Sequence, residues 1–214
     1  MFHLHYTILS FIRKCKHKRK QWRDWLGKER QRASMIVQTA WLDRQFDFNH
    51  PIGIFPSLVE RLRGTPVRAK ELVAGISETV LGTRVRSKWS AKEHLGQLID
   101  LQPMDERRLS EFLDGAGILS AADVDNRATE SADHRSVLIA EIIRRLRVGR
   151  KGLIRRLEAL TEIELNRNAL HPRLQTPMWL LGRLYFLAEH DDLHVALARS
   201  AIATLRREQL QEKS

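Results

Sequence analysis

The sequence predicts an all-α fold, a four-helix bundle with long connections. Three observations predict it. Apolar residues recur at helical spacing almost everywhere after Met35. Only 11 Gly and 6 Pro leave few turn residues for an all-β fold. Cap residues precede several of the periodic stretches, and no strand-like alternation stands out. With 214 residues, 43% hydrophobic and 29% charged, the chain is long enough for one domain with a real core.

The net charge of +11 suggests a nucleic-acid partner until it is located. Residues 1–34 hold ten Lys/Arg against Asp24 and Glu29, whereas the rest has 27 basic and 24 acidic residues. Basicity therefore belongs to a leader, and the domain after it is nearly balanced, so it is not expected to bind nucleic acid. The leader joins an apolar stretch, Met1–Ile12, to a basic run with Trp22 and Trp25. Its charge follows the apolar part, the reverse of a secretory signal. Three readings stay open for it: a tail without specific function, an amphipathic arm for acidic lipid or nucleic acid, or translation that starts at Met35. Cys15 is the sole cysteine, which excludes an internal disulfide and favours a reducing cytoplasm. No apolar run approaches the roughly 20 residues of a membrane span, so the domain is expected to be soluble.

Phe55, Leu58, Val59 and Leu62 define a first helical stretch that Gly64 closes. Thr65 and Pro66 read as the cap and first residue of a second, with Leu72, Val73, Ile76, Val80 and Leu81 as its stripe. Ser90 and Glu93 form a capping box for a helix running towards Leu113, with Pro103 as a kink or break. Residues 114–134 read as a connection with short helical turns, and connections this long are often functional. Ser136–Leu160 is a clear helix, with Arg144, Arg145, Arg147, Arg150, Arg155 and Arg156 as a solvated outer face. After a connection through His171 and Pro172, Thr176 and Pro177 repeat the cap-plus-proline opening. A last helix is expected from Met178 to about Arg207.

His190 and His194 lie four residues apart on that helix, about 40° around its axis, so both imidazoles leave one face one turn apart. A helix gives two nitrogen ligands to one metal in this way, although paired surface or core histidines show the same spacing. Asp191 and Asp192 either orient the rings or face solvent. Asp191 after the first histidine departs from the His-Glu-x-x-His pattern, which argues against a zincin site.

Phe186-Leu187-Ala188-Glu189-His190-Asp191-Asp192-Leu193-His194 resembles the terminal-helix signature of the DinB-like family. Trp89-Ser90-Ala91-Lys92-Glu93-His94-Leu95-Gly96-Gln97-Leu98-Ile99-Asp100 resembles the same family's second-helix motif. Ala122-Asp123 through Asn126 and Thr129, and His171-Pro172-Arg173, are similar to it as well. The resemblance covers roughly residues 35–206. It implies a four-helix bundle holding a divalent metal through three histidines, one on the second helix and two on the last. It also implies relatives that include thiol-dependent S-transferases and a mycothiol-dependent isomerase.

By that resemblance His190 and His194 match the two last-helix ligands, and the second-helix ligand falls on Gln97. A neutral amide oxygen is a poorer donor than imidazole to zinc-like metals. Three outcomes stay open: Gln97 as a weak or water-bridging ligand, His94 recruited by a shifted register, or a lost site. Trp89 reads as packing at the helix start and Glu93 as a capping partner. His171 reads either as the mouth of the site or as the end of a loop before Pro172. His50 and His134 carry no motif support.

The expectation is thus a basic extension over 1–34, a DinB-like bundle over 35–208 and a polar tail over 209–214. The bundle would hold zinc, nickel or manganese. It would lower the pKa of a bound thiol or water for attack on an alkyl or acyl acceptor. The thiol would be a low-molecular-weight cofactor, because Cys15 lies outside the bundle. Against this stands a non-catalytic bundle that binds a small ligand or serves as an interaction module. The expected partner is a small-molecule substrate or thiol. A homodimer is left open, and the basic arm is the surface for acidic membranes or nucleic acid.

Overall fold

A computed structural model describes residues 38–211. The basic leader, Cys15 and Met35 lie outside the described residues. The chain divides into two units, Met1–Arg44 and Gln45–Ser214. In the first, the described part holds one 3-10 turn, Trp41–Asp43. The second carries the helices.

Four long segments build the bundle. They are α1 (Phe55–Val73), α3 (Ala91–Asp100) continued by α4 (Gln102–Leu113), α6 (Ile139–Glu158) and α8 (Leu180–Gln211). Short helices α2 (Glu78–Gly82), α5 (Arg127–Ser131) and α7 (Glu162–Leu165) lie in the connections. Both α1 and α3 pack against α6 and α8. No described helix is long and apolar enough to cross a membrane.

The Thr65-Pro66 boundary is corrected. α1 runs unbroken through Gly64 and Pro66, and turns only after Val73, where Gly75 takes a positive φ of 70°. A proline inside a helix costs about 3 kcal/mol. Here Leu58, Val59, Leu62, Pro66, Ala69 and Val73 are all buried along one face, and each large apolar side chain contributes about 1.5–3 kcal/mol on burial. Packing outweighs the local break signal. The Ser90 capping box forms as expected, with Glu93 N donating to Ser90 Oγ at 3.3 Å and Ser90 N to Glu93 Oε2 at 2.8 Å. Leu101 separates α3 from α4, just before Pro103.

The second correction is a hairpin. Thr176 and Pro177 do not open the last helix. They belong to β2 (Thr176–Trp179), antiparallel to β1 (Asn168–His171), with Ala169 opposite Met178 and Leu170 opposite Pro177. Proline at a helix start and proline on an edge strand both leave an unneeded N–H position, so the local sequence suits either. Met178 and Ala169 are buried side by side, which settles the choice. Residues 117–119 add to the hairpin through Leu170 N to Gly117 O (2.9 Å) and Leu119 N to Leu170 O (3.0 Å).

The apolar core is in two parts. One gathers Leu62, Phe112, Leu153, Leu157, Leu180 and Leu184 near the hairpin. The other gathers Ala69, Leu95, Ile142, Leu146, Ala198 and Ile202 at the far end. Between them, by position along α1, α6 and α8, lie Thr65, Arg150 and Asp191. Arg150 is therefore not on a solvated face: it is 2% exposed and pairs with Asp191 at 2.5 Å. Its position four residues after Leu146 and three before Leu153 puts it on the buried stripe.

Candidate metal centre

The capping box fixes where α3 begins and so which residues face α8. Glu93 is the anchor. Burial works to raise its pKa, but the Arg84 guanidinium and the Ser90 donors outweigh burial and hold the carboxylate low. It is a bound anion rather than a base. One residue later His94 projects towards α8, where its Nδ1 stands 3.3 Å from His194 Nδ1. The His190 and His194 rings lie 4.4 Å apart between centroids, and Trp89 covers His94 at 5.5 Å and His194 at 6.2 Å.

The His94 and His194 imidazoles are neutral at pH 7. Burial pushes the His94 pKa down to about 4, with Glu93 opposing. His194 is lowered well below its ordinary value by burial, then by His190 and His94. Neutral imidazole is the form that ligates a metal. Two nitrogens about 2.1 Å from one ion at a tetrahedral angle stand about 3.4 Å apart, close to the separation of the two Nδ1 atoms. The pair therefore fits two positions of a metal centre. Among the described residues no group of three or more His, Cys, Asp and Glu side chains is arranged to hold an ion, so a third donor is not in place.

Gln97 is 3% exposed and sits in a different network. Its Nε2 donates to Asn126 Oδ1 at 2.8 Å. The Thr129 hydroxyl bridges its Oε1 and Asp100 Oδ2, the latter at 2.7 Å. His134 Nε2 meets the same Asp100 oxygen at 2.7 Å. The 114–134 connection thus folds back onto α3 and takes both ends of the Gln97 amide. Gly96 makes this approach possible, since a Cβ there would stand 2.3 Å from the His134 ring. Sequence reasoning gave His134 no role, and its only signal was its place at the end of that long connection.

The two aspartates between the histidines turn away from the rings. Asp191 is fully buried and binds Arg150 and Thr65, while Asp192 binds Arg61 and Arg68 on α1. Burial works against the Arg150 charge, yet Asp191 and Asp105 outweigh it and hold the guanidinium pKa up. His171 ends β1, 3% exposed, and its Nδ1 accepts from Leu174 N at 3.2 Å. His50 packs on Tyr185 with ring centroids 4.2 Å apart.

A helical bundle with a histidine pair facing a third histidine across α3 and α8 is the class of protein that the fold and site define. The family model of the DinB superfamily matches residues 61–198, and the chain belongs to that superfamily. Among solved structures, the chain is similar to YfiT from Bacillus subtilis, with a TM-score of 0.66 and 17% identity. The match covers 78% of this chain and 93% of that one. YfiT is described as a probable metal-dependent hydrolase with an unusual four-helix bundle topology. At this identity the likeness establishes the fold. No curated protein matches the chain.

Proposed function

We propose that this DinB-superfamily chain binds a divalent metal through His94, His190 and His194, and that the centre serves a small-molecule reaction. The observation that carries this reading is the 3.3 Å separation of His94 Nδ1 and His194 Nδ1. His190, one helical turn before His194, is the candidate third imidazole and would have to bring its ring to the ion, since no three-donor group is preformed among the described residues. His94 then takes the place that family resemblance assigns to position 97, while Gln97 stays with Asn126 and Thr129 and acts on the centre from outside. Three neutral nitrogen donors suit zinc, nickel or manganese in the order expected for imidazole.

When bound, the ion would lower the pKa of a thiol or water beside it. The protein's own residues set the surroundings. Trp89 covers two of the imidazoles and limits solvent, and the Ser90–Glu93 box fixes the helix that bears His94. Transfer from a low-molecular-weight thiol to an alkyl or acyl acceptor is the finer reading. Hydrolysis, by similarity to YfiT, is the other reaction of the same centre. The second reading is a non-catalytic small-ligand or interaction bundle. What favours it is that Gln97 replaces a histidine and is held at both ends of its amide.

Elemental analysis of the purified chain tests the choice. The expected result is near one divalent ion per chain, lost in His194→Ala and His94→Ala. A chain without metal, and without uptake of added nickel, zinc or manganese, would establish the non-catalytic bundle instead.

A further inference from the structure

We propose that Arg183 and His171 form a receptor for the carboxylate group of a small-molecule ligand, beneath a strap formed by residues 45–50. Both side chains are buried, at 5% and 3% exposure. Leu174 N donates to His171 Nδ1, so in the neutral ring the hydrogen is on Nε2. That Nε2 and Arg183 Nε are buried and have no hydrogen-bond partner among the described residues. Buried donors are almost always satisfied, so two such nitrogens on one wall call for an acceptor.

Phe186 is that common wall. The His171 ring meets it edge to face at 6.0 Å, and the Arg183 guanidinium lies over it at 5.8 Å. Phe46 and Phe48 also pack on Phe186, with ring centroids at 4.9 and 5.8 Å. Gly182 lets the strap come this close, since a Cβ there would stand 3.0 Å from Phe48. The strap has no regular secondary structure over 45–50 and is held by ring contacts that can open without breaking a helix.

Charge and donor number select the ligand. Arg108, Arg150 and Arg183 are buried beside the buried carboxylates Asp105 and Asp191, with half-buried Glu106 and Glu111 also acting on them. Arg183 already gives a terminal N–H to Asp105; its Nε–H and the His171 Nε2–H match the two oxygens of one carboxylate, whereas a phosphate dianion brings further oxygens that find no donor there. The crowding is felt by its members. Burial, then Arg183, brings Arg108 down to about 10, and burial followed by Arg108, Arg183 and Arg173 brings His171 down to about 4. Arg183 lies two helical turns, about 10 Å, before His190 on nearly the same face of α8. The receptor itself needs no metal.

The test titrates the full-length chain with butanoate, butanamide and inorganic phosphate, reading heat of binding and the thermal midpoint. Butanoate should bind and raise the midpoint, while the neutral amide and phosphate should not. His171→Phe removes the imidazole N–H and Arg183→Lys removes the guanidinium Nε–H, and each should weaken butanoate at least about tenfold, the scale of a lost charge-assisted hydrogen bond. Exposed Arg173→Ala should change it by less than about threefold. Equal binding of butanoate and butanamide, preference for phosphate, no binding of butanoate, or unchanged affinity in His171→Phe would overturn the proposal. The comparison of probes on the unaltered chain needs no variant to fold. Adding a chelator should leave butanoate binding unchanged, so loss of the metal reading and loss of this one are told apart.

Discussion

His94 Nδ1 stands 3.3 Å from His194 Nδ1 across the contact between α3 and α8. Without an ion, one nitrogen carries the hydrogen and the other accepts it. With an ion between them, both present lone pairs. The same separation therefore suits two states that differ in the tautomer of one ring and in one ion, and in the proposed centre it makes His94 the deciding residue.

Single substitutions on α3 separate the two ligand candidates. His94→Ala should weaken nickel or zinc binding about 100-fold or more, the upper end of what even an outer-shell change costs. Gln97→Ala should cost less than about tenfold. Calorimetric titration of the two variants decides. Equal losses would place Gln97 in the coordination sphere beside His94.

The buried ion pair should behave asymmetrically. Asp191→Asn leaves Arg150 with only Asp105, 3.8 Å away, as a buried carboxylate and should cost about 3–5 kcal/mol in urea unfolding. Replacing both, Arg150→Met with Asp191→Leu, should recover most of that loss, because the desolvation penalty of the pair goes with it. A double variant as unstable as the single one would mean that the pair is a net source of stability.

Removing the α3 cap should act on both fold and site. Ser90→Ala ought to lower stability by about 1 kcal/mol. It also frees the first turn that carries His94, so metal affinity should fall with it. Lowered stability at unchanged affinity, measured by thermal unfolding and titration together, would show that the cap does not position His94.

Acid should destabilise the chain before its carboxylates titrate. His171 is held down to about 4 in the folded chain, first by burial and then by Arg108, Arg183 and Arg173, whereas an unfolded histidine titrates near 6.5. Between these values the unfolded chain binds the extra proton. The contribution of this group is present above about 6.5 and is lost as pH falls towards 4. Urea midpoints measured from pH 7 to 4 should fall less steeply in His171→Phe than in the unaltered chain. Identical slopes would mean that His171 is not kept neutral.

Much of the bundle was legible because helix signals are local. The Ser90–Glu93 box, the apolar stripe of α6 and the His190/His194 spacing each lie within a few turns of one helix. The elements misread were those with ambiguous local signals. Thr65-Pro66 and Thr176-Pro177 look alike as dipeptides, yet one lies inside a helix and the other in a strand. Arg150 was read by its charge, although its position on the Leu146–Leu153 stripe pointed inward.

The sequence by itself determined the family, the helical class and two of the histidines, since each follows from residue type at fixed spacing. Only the tertiary structure decided what those histidines meet. It brought His94 from a separate helix to His194, a relation between residues 100 positions apart that no periodicity encodes. It also folded the 114–134 connection onto Gln97 and occupied its amide. Packing does this because a buried polar group is placed by the partner that satisfies it, and that partner is chosen by the whole fold.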